Sequence, residues 1–217
     1  LVGVEGAAGA GKTATLARTQ AIVEQAGHRM LVVTPTLKAA HAVATEAGVQ
    51  ARSAAWLARQ YGFTWDDNGK WSREPSSSSD HARLGRGDLL LIDEAGMLDQ
   101  DTAHALVRIA DETGARIALV GDRHQLPAVG RGGALDLAAK WVATDASVTL
   151  GTVHRFADPE YAELSLAMRT GQNPVAVFDQ LVQRGQVVLH GDEASRTTAL
   201  AVEAAATGAL VVADTRE

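Results

Sequence analysis

Apolar positions along the chain alternate between two habits. Short unbroken runs, such as Leu1–Val4, Met30–Thr34, Leu89–Ile92 and Ile117–Val120, are bounded by glycine or charge. Between them lie longer stretches whose apolar residues recur every three or four positions. The runs read as strands buried on both faces, and the periodic stretches as helices. Helices are predicted from about Thr13 to Ala26, Leu37 to Ala47, Asp99 to Thr113 and Gly133 to Trp141, with Gly27, Gly48 and Gly114 as stops. Val148 to Leu150 reads as one more short strand. Strand and helix in alternation imply an α/β fold, a parallel sheet covered on both sides.

After Gly151 the rhythm restarts. Asp158-Pro159 and Asn173-Pro174 each read as a cap followed by proline at the first helical position, and the helices end near Gly171 and Gly185. Val187 to Leu189 then reads as a strand, Ala194 to Thr207 as a helix, and Leu210 to Ala213 as a last strand. The expected division is a domain over 1–150 and the truncated beginning of a second over 151–217. One stretch, 61–88, has no helical period. There Phe63-Thr64-Trp65 and Lys70-Trp71-Ser72 flank Asn68-Gly69, the pattern of a small hairpin, and Ser76 to Ser79 reads as a mobile loop.

Composition narrows the setting. A chain of 217 residues, 46% hydrophobic, can bury a sizeable core. It has no apolar run long enough to span a bilayer and no visible signal peptide. The absence of cysteine removes disulfides and thiolate metal sites and agrees with a reducing cytoplasm. Seven histidines are scattered without metal-ligand spacing. At a net charge of −6 the chain is no general polyelectrolyte for nucleic acid, although a local groove can still bind a strand. Arg52 to Arg86 carries six Lys/Arg against four Asp/Glu, and it holds Trp56, Tyr61, Phe63, Trp65 and Trp71. Such a composition suits either base stacking or a small aromatic core under the hairpin, and the second reading is favoured.

Four groups of residues carry chemistry. Gly6-Ala7-Ala8-Gly9-Ala10-Gly11-Lys12-Thr13 fits G-x-x-x-x-G-K-[ST] between a strand and a helix, the P-loop arrangement. Its small residues let backbone N–H groups curl round phosphate oxygens, and the helix N-terminus adds its dipole. Lys12 supplies a charge for the β and γ phosphates, and Thr13 a hydroxyl for Mg²⁺. Nucleotide contacts are expected from Gly6, Ala8, Gly9, Ala10, Gly11, Lys12, Thr13 and Ala14. Eighty residues after Thr13, the run Leu89–Ile92 delivers Asp93-Glu94 at a strand's C-terminal end, where Asp93 can hold Mg²⁺ and Glu94 can act as general base toward water. Gln125, in Gly121-Asp122-Arg123-His124-Gln125-Leu126-Pro127, can donate to a γ-phosphate and accept from water. Arg155, in Thr152-Val153-His154-Arg155-Phe156, is either a surface arginine or one that reaches a transferring phosphoryl group.

Together these residues, with Thr34-Pro35-Thr36 between the first two groups, resemble superfamily 1 helicases of the RecD type, and most of all the helicase part of conjugative relaxases of the TraI/TrwC kind. The resemblance covers nearly the whole chain. It implies a RecA-like P-loop parallel sheet, the start of a second RecA-like domain, and ATP with Mg²⁺ in the cleft between the two. It further implies 5′-to-3′ movement on single-stranded DNA in conjugative transfer or repair, and a possible relaxase domain on the same natural chain. By position, Lys12, Glu94, Gln125 and Arg155 become catalytic, and Thr34, Pro35, Thr36, Lys38 and Ser53 become DNA contacts. Ser53 is followed by Ala54-Ala55, where the family has a bulkier pair. The family's adenine-reading glutamine belongs before Leu1, and its later motifs after Glu217. A nucleotide- and DNA-binding module without unwinding activity, or another P-loop ATPase, are the competing readings.

Overall fold

A computed structural model describes residues 1–66, 71–76, 78–125 and 131–212. The chain runs β1 (Val2–Gly6), α1 (Lys12–Gln25), β2 (Met30–Thr34), α2 (Leu37–Ala47), β3 (Ala51–Ser53), α3 (Ala54–Gln60), β4 (Phe63–Trp65), β5 (Trp71–Arg73) and β6 (Leu89–Ile92). It continues through a 3-10 turn (Ala95–Met97), α4 (Gln100–Thr113), β7 (Arg116–Gly121), α5 (Ala134–Trp141), a 3-10 turn (Thr144–Ala146) and β8 (Ser147–Leu150). Three helices close it: α6 (Pro159–Thr170), α7 (Pro174–Gln183) and α8 (Glu193–Thr207). It divides into two compact units, Leu1–Thr170 and Gly171–Glu217, so α6 belongs with the first.

Six strands form one sheet in the order β3-β2-β6-β7-β1-β8, with every neighbouring pair parallel. The alternation of side chains along each strand sorts the apolar runs onto two faces. Val32, Leu91, Ala118 and Val120 pack with Leu16 of α1 and Val43 of α2. Val33, Leu90, Ile92, Ile117 and Leu119 pack on the other face with Leu57 of α3, Leu106 and Ile109 of α4, and Leu135 of α5. This two-sided burial is why the central strands carry no polar alternation. The glycine stops behave as expected: Gly48 and Gly114 take φ of 67° and 71°, a left-handed conformation that suits glycine at a helix end.

The strand order has a functional consequence. Parallel strands place all their C-terminal ends on one edge. Across the sheet that edge carries Ser53, the Thr34–Thr36 turn, Asp93-Glu94, the Gly121–Gln125 turn and the Gly6–Thr13 loop, in that order. Ligands of open α/β sheets bind along this edge.

Several expectations are corrected. The edge strand β3 and helix α3 are not foreseen: Ala51-Arg52-Ser53 has no apolar run, and seven residues are too few to show a period. Val187 to Leu189 is no strand. Val188 and Leu189 stand 69% exposed, and no ladder forms there among the described residues. Leu210 to Val212 is likewise outside any strand, and Ala213 lies outside the described residues. Of the serine run, expected to be mobile, Ser76 and Ser79 are tied down: Ser76 Oγ donates to Gln60 O at 2.9 Å, and Ser79 N–H donates to Gln60 Oε1 at 3.2 Å, while Ser77 lies outside the described residues. β4 and β5 do pair as an antiparallel hairpin with Trp65 opposite Trp71, while Asn68, Gly69 and Lys70 lie outside the described residues. So do Leu126 to Val129 of the Gln125 motif.

Candidate functional site

β1 ends on Gly6, and the loop that follows closes on itself. Ala10 N–H donates to Ala7 O at 3.1 Å, and Gly9 and Gly11 take φ of 79° and 86°. A side chain at Gly9 is excluded twice over, because a Cβ there would also lie 2.5 Å from the Cβ of Arg155. α1 begins at Lys12, whose ammonium reaches back into the loop and donates to Gly6 O at 2.8 Å and Ala7 O at 3.3 Å. Thr13 stands half-buried beside it, Ala8 and Ala14 are exposed, and Ala10 is buried against the loop's underside. His154 N–H donates to Gly9 O at 2.9 Å. The backbone of the Thr152–Phe156 segment thus lies directly on the loop, carrying Arg155 with it.

Asp93 follows β6, anchored by its N–H to Val33 O at 2.9 Å. The residue is 6% exposed, and its Oδ1 is buried with no hydrogen-bond partner. Burial first, and the neighbouring Glu94 carboxylate second, push its pKa up to about 6, against the pull of the Glu94 N–H and the Lys12 ammonium. Glu94 opens the 3-10 turn in the left-handed region with φ 54°, an unusual conformation for a residue with a side chain. The turn is pressed onto the end of β7: a Cβ at Gly96 would lie 2.7 Å from Asp122 O.

The turn after β7 is held by charge. Asp122 is buried, and its two carboxylate oxygens each accept from Arg169 Nε at 2.9 Å, while Oδ1 also accepts from His124 N–H at 3.0 Å. Burial alone would raise this carboxyl, yet the Arg169 guanidinium and the His124 N–H hold it below the ordinary carboxylate range. Arg169 Nη2 also donates to Glu5 Oε1 at 3.1 Å, and Arg123 Nε donates to Glu5 Oε2 at 2.8 Å. Gln125 N–H donates to Asp122 O at 3.3 Å. Ala7, Ala8, Gln125, Arg155, Phe156 and Arg169 line a cleft of about 350 Å³ at this edge of the sheet. A groove of about 330 Å³ runs under α1, but its walls are largely apolar and only Lys12 connects it with the loop, so the polar cleft is the better place for phosphates.

Gln125 and Arg155 therefore share the cleft beside Ala7 and Ala8, Lys12 reaches back to Gly6 and Ala7 of the same loop, and Asp93 and Glu94 stand at the end of the strand on the far side of β7. Sequence reasoning missed Arg169 and Glu5 and gave Asp122 no role of its own. No local pattern marks Arg169. Its partners are 47 and 164 residues away in sequence. The residues fit a magnesium-bound triphosphate. Asp93 offers a buried carboxylate oxygen without a partner, and two left-handed glycines shape the P-loop turn. Among the described residues no three His, Cys, Asp or Glu side chains gather into a protein-only metal site. Mg²⁺ in such sites is normally held by one or two protein oxygens plus phosphates and water.

The remaining candidates lie further along the same edge. Thr34 is fully buried and its hydroxyl donates to Thr36 O at 2.7 Å, so it shapes the turn and does not face solvent. Pro35 is half-buried; Thr36 and Lys38 are exposed. Thr36 Oγ caps α2 by accepting from Ala39 N–H at 3.1 Å, and Ser53 Oγ caps α3 by accepting from Trp56 N–H at 3.2 Å. Thr34 and Ser53 are register partners, which sets the two helix starts side by side.

A family model described as an AAA domain, AAA_30, matches residues 1–192. The probable conjugal transfer protein TraA of Sinorhizobium fredii (strain NBRC 101917 / NGR234) is 28% identical over 189 residues, which is 87% of this chain and 15% of that protein. The conjugal transfer protein TraA of Rhizobium radiobacter is 29% identical over 181 residues, 82% of this chain and again 15% of the relative. The chain thus spans about one seventh of the length of these relatives. Among solved structures, Pif1 helicase from Bacteroides in complex with ADP-AlF3 and ssDNA superposes with a TM-score of 0.57 at 18% identity, over 98% of this chain and 54% of that one. A Pif1 helicase structure concerned with DNA unwinding at forked dsDNA gives 0.57 at 22% identity, over 84% and 47%. With its six parallel strands and its P-loop at the sheet edge, the chain belongs to the AAA domain family AAA_30, with a RecA-like fold shared with Pif1 helicase and a sequence likeness to the TraA conjugal transfer proteins.

Proposed function

We propose that the chain is the ATP-hydrolysing core of a DNA motor that moves along single-stranded DNA. One observation carries the reading: Gln125 and Arg155 share a cleft with Ala7 and Ala8 of the loop, Lys12 donates into that loop, and the same sheet edge presents Asp93 and Glu94. In this reading the N–H groups of Gly9 to Thr13 and the Lys12 ammonium bind the triphosphate oxygens. Asp93 and the Thr13 hydroxyl would hold Mg²⁺, which would supply positive charge to offset that of the phosphates. Glu94 takes the proton of the attacking water, and Gln125 orients that water against the γ-phosphate. Arg155 balances charge on the transferring group, a contribution of roughly 10³ to 10⁵ in rate where such an arginine is in place.

The DNA-facing part of the reading rests on the exposed Thr36 and Lys38 and on the adjoining start of α3 at Ser53. Backbone N–H groups there suit sugar-phosphate oxygens. The names of the TraA relatives favour conjugative transfer as the setting. The proposal also includes a relaxase domain on the same natural chain, 5′-to-3′ movement, residues 151–217 as the start of the second RecA-like domain, and a cytoplasmic location.

Steady-state ATP hydrolysis with and without single-stranded DNA tests the proposal. DNA is expected to stimulate turnover. Lys12→Ala is expected to abolish it, and Glu94→Gln to lower kcat by roughly 10² to 10⁴ while nucleotide binding persists. Tight binding of nucleotide and DNA by wild-type protein without any turnover would replace the motor by a binding module.

A further inference from the structure

Arg169 lies in the last turn of α6 and is largely buried, with 18% of its side chain exposed. It faces two carboxylates, Asp122 with 2% of its side chain exposed and Glu5 with 18%. Charges so placed are tolerated only when each finds good hydrogen bonds, and this arginine spends Nε on Asp122 and Nη2 on Glu5. The arrangement does more than neutralise charge. Asp122 uses what remains of its bonding capacity on the two residues that lead into the candidate sensor: Oδ1 accepts from His124 N–H, and its carbonyl accepts from Gln125 N–H. Glu5 in turn holds Arg123 and directly precedes the first P-loop glycine. Asp122 is therefore tied to the guanidinium of Arg169 directly, Arg123 and His124 through one carboxylate each, and Gln125 through the backbone carbonyl of Asp122.

The same segment reaches the P-loop at its other end. Arg155 packs on Gly9, and the helix begun at Pro159 brings Arg169 back to the cleft wall beside Gln125. We infer that Arg169 is a positioning residue for hydrolysis: through Asp122 it sets the backbone that presents Gln125 to the γ-phosphate, so that the placement of α6 governs turnover. The inference rests on the ATPase reading above.

Two variants separate positioning from bulk stability. Arg169→Lys keeps a positive charge between the carboxylates but not the planar fork that engages both. In the full 217-residue chain, Arg169→Lys is expected to remain folded, to leave the KM for ATP within about twofold, and to lower kcat by about 100-fold, the scale of a misplacement near 1 Å. The loss should not add to that of Gln125→Ala, because both act through one group. The double variant is expected to turn over at the rate of Gln125→Ala alone. Amide exchange at 122–125 should accelerate in Arg169→Lys, with the α1 amides unchanged. A folded Arg169→Lys protein with wild-type kcat would overturn the inference, as would losses that multiply with Gln125→Ala. If wild-type protein hydrolyses no ATP, the ATPase reading fails on its own. The hold of Arg169 on the turn is then decided by exchange alone, and unaltered protection at 122–125 would refute it.

Discussion

At the residue scale, Asp93 has the most exacting environment in the described chain. Its carboxyl is buried, lacks a hydrogen bond at Oδ1 and sits beside Glu94. Its pKa rises from the ordinary 3.8 to about 6. Between those values the folded chain keeps a proton that the unfolded chain has released, so stability falls as pH rises through the window. The difference amounts to at most about 3 kcal/mol once Asp93 is fully ionised. Asp93→Asn carries no charge to bury. Melted with EDTA and without nucleotide, it is expected to match wild type near pH 4 and to exceed it at pH 8 by about 1–3 kcal/mol. The same variant should lose magnesium-dependent hydrolysis. Equal melting of the two proteins at pH 8 would show that the buried charge is not a burden on the fold.

At the element scale, the question is what holds the β4–β5 hairpin, since two strands alone are marginal in water. Phe63 is buried in the core formed with α3 and α4. Trp71 lies between it and His104 of α4, with ring centroids 5.7 and 5.6 Å apart. The Arg73 guanidinium covers Phe63 at 4.6 Å and grips both carboxylate oxygens of Glu112 at 2.6 and 2.7 Å. That grip holds Glu112 below the ordinary carboxylate range. The aromatic group thus packs onto α4. Trp71→Ala is expected to lower stability by about 2 kcal/mol, part of the cost of truncating a fully buried ring. Single-strand affinity should stay within about twofold, measured by fluorescence anisotropy. A large loss of affinity with unchanged stability would restore the base-stacking reading. The sequence carried half of this picture. Clustered aromatics and the strand–turn–strand pattern are local signals, as are the glycine stops and the P-loop. The clip from Arg73 to Glu112 spans 39 residues, and the one from Arg169 to Asp122 spans 47, so no periodicity reveals either. α3 went unread because a seven-residue helix shows barely two turns, and Val187–Leu189 misled because an apolar run makes a strand only where a partner strand exists.

At the scale of the whole molecule, the two compact units differ in kind. Leu1–Thr170 contains both core clusters. In Gly171–Glu217 the only buried apolar side chain among the described residues is Val177, while Val175, Val188, Leu189, Val202, Leu210 and Val212 are between 64% and 89% exposed. A segment that buries so little cannot offset the chain entropy of ordering it. Residues 171–217 produced alone are therefore expected to show no cooperative thermal transition. Residues 1–170 are expected to melt cooperatively and to bind nucleotide like the longer chain. A cut at 150, where the sequence rhythm restarts, should behave differently. It removes Arg155 from the P-loop and Arg169 from Asp122 and Glu5, leaving Asp122 without its guanidinium and Glu5 with Arg123 alone. Losing one partner of a buried ion pair destabilises by about 3–5 kcal/mol, and the exposed edge strand β8 would end the chain. Residues 1–150 should thus melt well below 1–170 at neutral pH. The gap should narrow in acid, because Asp122 is held below the ordinary carboxylate range by its partners and their contribution disappears as pH falls through its folded pKa. Equal melting of the two truncations across that range would mean that α6 contributes nothing to the first unit and that its ion pairs are incidental.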